Sequence, residues 1–403
     1  MTAALLRERL TRAFEEARRS YDLAHLVYAN LPAPPERVQL IAAGKSAPEM
    51  AKGALERWGE AIELALVVAP HDTPCDLDDP RIELLRASHP VPDETSVAAA
   101  RRALEVARGS APAHLLVLVS GGASSLLCAP HDVISLADKI AVTRALLLSG
   151  ASIAEVNTVR RHLSRIKGGG LARAAHPAVT STFLVSDVID GAAHDVGSGP
   201  ALPDPTTVED ARKILWRYAP AHGTMPLVES LKTTEPAGRG IVKTLVSPGD
   251  FASATASRLD VNGLRVRVLP PSIASVAMLV AEYTLLAKSL APGEVVVRSA
   301  EPALSVDVGN PGRGGRAGHL AALVARHLPP DVVFLAGASD GVDGSSDASG
   351  AVVDADFVAT VGPRYAALVA AFDTATAHEL AGTALPGGPT GLNLADVHIL
   401  ARA

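Results

Sequence analysis

The sequence predicts an α/β protein built around a parallel sheet, and two observations carry that expectation. Short β-rich runs alternate with helical patterns along almost the whole chain, as they do where strands are joined by crossover helices. Runs such as LLVLVS (115–120) and VVFLAG (332–337) are apolar on both faces, which suits strands covered by helices on either side of a sheet. The chain has 403 residues, 48% of them hydrophobic, enough for a large core and for more than one domain.

Taken in order, the chain opens with Leu6, Leu10, Phe14 and Ala17 at helical spacing, an amphipathic helix rather than a secretory signal. Strands are expected at Val38–Gly44, Leu64–Pro70, Leu115–Ser120 and Ser181–Ser186. Further strands are expected at Leu264–Pro270, Glu294–Arg298, Leu304–Val308 and Val332–Ala336. Helical patterns include DETSVAAARRALEVARG, PTTVEDARKILWRYA, GHLAALVARHL and PRYAALVAAF. IASVAMLVAEYTLLAKSL is the most membrane-like stretch, but Glu282 and Lys288 interrupt it, so a buried helix is expected there. Pro, Gly and Thr concentrate between Tyr218 and Gly240, which places a boundary near residue 240 and two domains at 1–240 and 241–403.

Composition excludes some partners. A formal net charge of -6 without a basic tract, and only 3% aromatic residues, argue against nucleic acid. Cys75 and Cys128 form no Cys-x-x-Cys pair, which fits a soluble protein of a reducing cytoplasm. No membrane partner is expected, and a homodimer is admitted without being fixed by the sequence.

The chemistry-bearing residues stand where apolar strands end, the usual ligand position in open α/β sheets. VQLIAAGKSAPEM ends a strand in Gly-Lys-Ser, yet the glycine that a phosphate loop needs five residues earlier is Gln39. Lys45 at the exit of a buried strand is nonetheless costly without an anion. SGGASS follows the next switch of pattern, and its glycines and serines (Ser120, Gly121, Gly122, Ala123, Ser124) offer N–H groups and hydroxyls to an anion. SDVIDGAAHDVGSGP carries Asp187, Asp190, His194 and Asp195 before a flexible Gly-Ser-Gly that ends in Gly199. GASDGVDGSSDASG carries Asp340, Asp343 and Asp347 without the spacing of an EF-hand loop. His89, His162 and His194 lack zinc-ligand spacing and read as hydrogen-bonded structural histidines. In NTVRRHLSRIKGGG, a helix from Asn157 would put Arg160, Ser164 and Lys167 on one face, as a cationic wall or as a solvated stripe. Gly312, Gly314 and Ala317 match the dinucleotide spacing, but Asp331 precedes its strand and Arg313 and Arg316 would crowd a pyrophosphate.

In this order, AAGKSAPEMA, HPVPDETS, SGGASSLLCAP, NTVRRHLSRIKGGGLA, SDVIDG with SGPALPDPTT, GRGGRAGHLA, GASDGVDGSSDASGAVVD and GGPTGLNLADVHI resemble the class II glycerate kinases, whose C-terminal part is the MOFRL domain. The resemblance spans nearly the whole chain. It implies a Rossmann-like N-terminal domain, a smaller C-terminal α/β domain, and ATP- and Mg²⁺-dependent phosphorylation of D-glycerate on the 2-hydroxyl in the cleft between them. It puts the catalytic lysine at Lys45 and the catalytic arginine at Arg316. The loop Ser120–Ser124, Arg160, Lys167, Asp187, Gly199, Glu301, Asp340, Asp343 and Asn393 form the candidate binding set, with Asp187 and Asp340 as candidates to hold magnesium through water. The chain departs from the family pattern at Ala317-Gly318, where Asn-Gln is usual, at Leu392 for a hydroxyl-bearing residue, at Ser345-Ser346 for Pro-Thr, and at PGDFASAT for an Asp-Asn-Arg loop. Three other readings stay open: a kinase for another small hydroxy acid, an NAD(P)H-dependent hydroxypyruvate reductase, and a non-catalytic ligand-binding homologue.

Overall fold

The computed structural model describes residues 2–110, 113–232, 239–260, 263–306 and 308–403. The chain folds as two compact units, one of Asp22–Leu245 and the other of Met1–Tyr21 with Val246–Ala403.

The first unit is built on six strands: β1 (Val38–Ala43), β2 (Ile62–Pro70), β3 (Ile82–Ala87), β4 (His114–Val119), β5 (Val179–Val185) and β6 (Arg239–Val246). They lie in the order β3-β2-β1-β4-β5-β6, the doubly wound, Rossmann-like order. β1 runs parallel to β2 and β4, β2 to β3, and β4 to β5. The order reverses between β1 and β4, where Ala43 stands opposite Val119, so both chains leave the sheet side by side at the switch point. Ile41, Leu66, Val117 and Leu184 anchor the main core of this unit. The helix Glu94–Gly109 begins at a capping box made by Asp93 and Ser96, and Val208–Tyr218 at one made by Thr207 and Asp210. Both helices stand where the apolar period placed them.

The second unit holds β7 (Arg265–Val268), β8 (Glu294–Ala300), β9 (Val332–Ala338), β10 (Gly350–Val353) and β11 (Asp396–Arg402), in the order β10-β9-β11-β8-β7. β11 enters between β8 and β9, antiparallel to both, with Asp396 level with Ala300 and with Ala338. The segments that follow β8 and β9 and the segment that precedes β11 therefore meet at one end of the sheet.

Three expectations differ from what is found. The amphipathic helix Ala3–Arg19 belongs with the C-terminal unit, not with residues 22–240. Its buried Leu6, Leu10 and Phe14 pack there, with Phe14 5.9 Å from Phe251 and against β9, where a Cβ on Gly337 would stand 2.6 Å from the Phe14 ring. No strand forms over Leu304–Val308 among the described residues; Ala303 makes one bridge to Ser275, and Asp307 lies outside them. The basic helix runs Ile153–His162 from a capping box of Ser152 and Glu155, and it stops before Ser164 and Lys167. The chain is drawn away there because Ser164 bridges Pro130 and the Arg165 N–H donates to the Ala129 carbonyl at 2.8 Å. Among the described residues, no helix is long and apolar enough to cross a membrane.

Candidate active site

In the first unit the loops after β1 and β4 are clamped together. The Ser120 N–H donates to the Ala43 carbonyl at 3.0 Å and the Lys45 N–H to the Gly121 carbonyl at 2.9 Å. The buried Ser120 hydroxyl accepts the Ser46 N–H at 3.0 Å. Gly44 makes this approach possible, since its φ is 131° and a Cβ there would collide with the Ser120 hydroxyl and stand 2.6 Å from its carbonyl oxygen. The stem of Lys45 runs beside Gly122, whose φ of 88° opens the short helix Ala123–Leu126. The switch point thus carries a lysine beside a glycine-rich turn, an arrangement suited to an anion.

The neighbouring segments are tied to this loop by hydroxyls. Ser124 Oγ is 3.0 Å from Ser198 Oγ, the Ser198 hydroxyl donates to Asn157 Oδ1 at 3.0 Å, and Arg160 Nη1 donates to the same Oδ1 at 3.4 Å. Lys167, expected on a helix face, instead lies beneath the loop and donates to the carbonyls of Ser124 (2.5 Å) and Leu127 (3.1 Å). Gly199 contributes backbone alone: its carbonyl accepts the Gly169 N–H at 2.9 Å. Asp187 follows the end of β5 and is half-buried. His162 has the structural role expected of it, with Nδ1 2.8 Å from the Thr158 carbonyl and Nε2 3.0 Å from Glu229.

In the second unit Arg316 is the first residue of the helix Arg316–Ala325. Its Nε donates to Asp396 Oδ2 at 3.0 Å, Nη2 to Asp396 Oδ1 at 3.3 Å, and Nη1 to Glu301 Oε1 at 2.9 Å. Burial works against the charge of Arg316, but Asp396 and Glu301 outweigh it and push its pKa up, so the guanidinium stays protonated. Asp343 accepts the N–H groups of Ala317 (3.0 Å) and Gly318 (2.8 Å), so it caps this helix and fixes where Arg316 stands. Burial pushes the Asp343 carboxyl up, against the pull of those N–H groups. Asp340 and Asn393 flank the same end of the sheet, and the Asp340 carboxylate accepts the Val342 N–H at 3.1 Å.

Asp396 is the residue the sequence reading passed over. It is 1% exposed, and burial pushes its carboxyl up to about 6 despite Arg316. Its signal was an acid opening an apolar strand, DVHILA, which must find a partner. At Gly318, a Cβ would stand 3.1 Å from Asp343 Oδ2 and 3.4 Å from the His378 ring; His378 Nε2 also meets the Gly318 carbonyl at 2.8 Å. The small residue thus matches its surroundings. Leu392 is buried. Gly318, Asp343 and His378 also line a cavity of about 330 Å³.

The dinucleotide reading of 312–317 loses its structural context. Gly312 lies well beyond the end of β8 at Ala300, and Asp331 is ion-paired to Arg402 at 2.7 Å. Among the described residues no group of three or more His, Cys, Asp or Glu is placed to hold a metal.

The buried titratable groups of this unit give a pH dependence. Burial pulls His378 down to about 4 and His398 down to about 3. An unfolded histidine protonates near 6.5, so stability present at pH 7 is lost as pH falls below that value, by up to about 2 kcal/mol per histidine at pH 5. Asp396 runs the other way: its contribution is greatest below the ordinary carboxylate range and is lost as pH rises through about 6. Asp343 is pushed up as Asp396 is, and His319 is pulled down as the other two are, so three histidines stand against two carboxyls. The urea midpoint is expected to fall between pH 7 and pH 5, and an unchanged or higher midpoint at pH 5 would contradict this.

Comparison with known proteins accords with the geometry. Residues 2–231 match a family described as a domain of unknown function, DUF4147, and residues 291–396 match the MOFRL family. A protein of Agrobacterium vitis named, provisionally, as a hydroxypyruvate reductase is 37% identical, over 98% of this chain and 94% of its own. D-glycerate 2-kinase of Thermotoga maritima is 33% identical over 90% of each chain. The crystal structure of a glycerate kinase from Thermotoga maritima aligns with a TM-score of 0.83 at 28% identity, covering 99% of this chain and 100% of the other. The chain belongs to the class II glycerate kinase family, with the MOFRL domain as its C-terminal part.

Proposed function

We propose that this protein transfers the γ-phosphoryl group of ATP to the 2-hydroxyl of D-glycerate, giving 2-phosphoglycerate and ADP. The observation that carries the reading is Arg316, a permanently charged guanidinium held by Asp396 and Glu301 at the start of a helix. Phosphoryl transfer asks for positioning and charge neutralisation more than for covalent help. In this reading Lys45 and Arg316 stabilise charge on the equatorial oxygens, and the turn Ser120–Ser124 with Arg160 receives anionic groups. Bound magnesium would neutralise phosphate charge, with Asp187 or Asp340 reaching it through water. The partners are small molecules, with neither nucleic acid nor membrane among them.

A reductase is the second reading, favoured by the name of the Agrobacterium vitis relative. Thermal-shift titration separates the two, because a ligand that binds the native state raises its midpoint. ATP with Mg²⁺ is expected to raise the midpoint and NADH to leave it unmoved; the opposite pattern would replace the kinase by the reductase.

A further inference from the structure

Among the described residues, three cations of the first unit have no carboxylate set against them, and the acidic group that acts on all three is the buried Cys128 thiol. Lys139, on the helix Leu136–Leu148, and Lys167 are 4% and 3% exposed. Arg160, in the last turn of its helix, is half-buried. Their partners are neutral and mostly distant. Lys139 Nζ reaches the Leu163 carbonyl at 3.5 Å, Arg160 Nη1 reaches Asn157 at 3.4 Å, and only Lys167 is well bonded, to two carbonyls. Among the described residues no Asp or Glu is ion-paired with any of the three.

Arg161, one residue along from Arg160, shows what the fold does with a structural cation. It is 2% exposed, with Asp195 and Asp204 each at 3.0 Å. Burial disfavours a charge that has no counter-charge, so an anion seated among the three would restore the charge that burial opposes. They also lie near enough to act on one another's charge. Arg160 and Lys167 are joined through Asn157, Ser198 and Ser124; burial pulls Lys139 down to about 8 against Cys128 and with Arg160, and burial, then Lys139, pulls Lys167 well down. Lys167 in turn grips the carbonyl of Ser124, which joins the cluster to the glycine-rich turn.

We propose that Lys139, Arg160 and Lys167 form a subsite for a small oxyanion, a carboxylate or a phosphate group, with Lys139 as one of its binding residues. Arg160 supplies the planar fork that matches such a group, and Lys139 and Lys167 supply point charges. Taking the carboxylate to be that of the acceptor rests on the kinase reading; the subsite itself stands on the geometry of this unit.

The test is calorimetric titration of the full chain, without nucleotide, with D-glycerate and separately with inorganic phosphate, against sodium chloride at matched ionic strength. Saturable binding of glycerate assigns the carboxylate, and saturable binding of phosphate assigns the phosphate. Lys139→Met is expected to weaken that binding about tenfold or more, while the thermal midpoint of the unliganded protein holds or rises, because an uncompensated buried charge has gone. Lys139→Gln serves if the methionine variant does not fold. Binding no stronger than chloride, binding undiminished in the folded variant, or a lowered midpoint in both variants would overturn the subsite. A protein that binds these anions yet releases no ADP would sink the kinase reading and leave the subsite standing.

Discussion

Arg316→Ala is expected to lower kcat by more than about a hundredfold, the scale seen when one charge-stabilising donor is removed from a transition state. The substitution also has a structural effect that can be separated from the catalytic one. Asp396 is 1% exposed and takes two of its hydrogen bonds from Arg316. Breaking a buried ion pair on one side costs about 3–5 kcal/mol. The loss is milder here, because the Asp396 carboxyl already sits near 6 and can take up a proton instead. The variant is therefore expected to fold, with a midpoint below that of the wild type at pH 7 and a deficit that narrows as pH falls, since losing Arg316 moves the Asp396 carboxyl further up. Arg316→Lys keeps the charge but not the fork that spans Asp396 and Glu301, so it should restore little. Near-wild-type turnover in folded Arg316→Ala would remove this residue from the chemistry.

The second large effect is expected from Lys45→Ala, again more than about a hundredfold in kcat, but with the fold kept. What fixes the β1 turn is backbone and Ser120: the N–H groups of Lys45 and Ser46 are bonded to the Gly121 carbonyl and the Ser120 hydroxyl. Neither bond involves the lysine side chain. Loss of kcat with a midpoint near that of the wild type would place Lys45 in the reaction. Unchanged kcat would exclude it, and a collapsed midpoint would mean that its side chain holds the turn.

Much of this arrangement was legible in sequence wherever local pattern decides structure. The apolar run before Gly44 and the one before Ser120 gave β1 and β4, because parallel strands covered on both faces have no polar alternation to confuse the reading. The lysine and glycine turn at their ends followed. What stayed hidden was long-range. An amphipathic face on Ala3–Arg19 says that the helix packs but not against what, and its partners, Phe251 and β9, lie far along the chain. β11 is placed by pairing between β8 and β9, a choice no local pattern encodes, so Asp396 could not be matched to Arg316 beforehand. Nothing in the local sequence singles out Lys139, and only its burial beside Arg160 and Lys167 gives it meaning. The basic helix was read too long because nothing local announces the bridge of Ser164 to Pro130.

The central claim is tested most directly by ADP release from ATP and Mg²⁺ with D-glycerate as acceptor, beside L-glycerate, hydroxypyruvate and tartronate, with the product identified by NMR. The account predicts turnover with D-glycerate and phosphate on C2. A folded protein that binds ATP yet releases no ADP with D-glycerate, or that phosphorylates a different acceptor in preference, would contradict it.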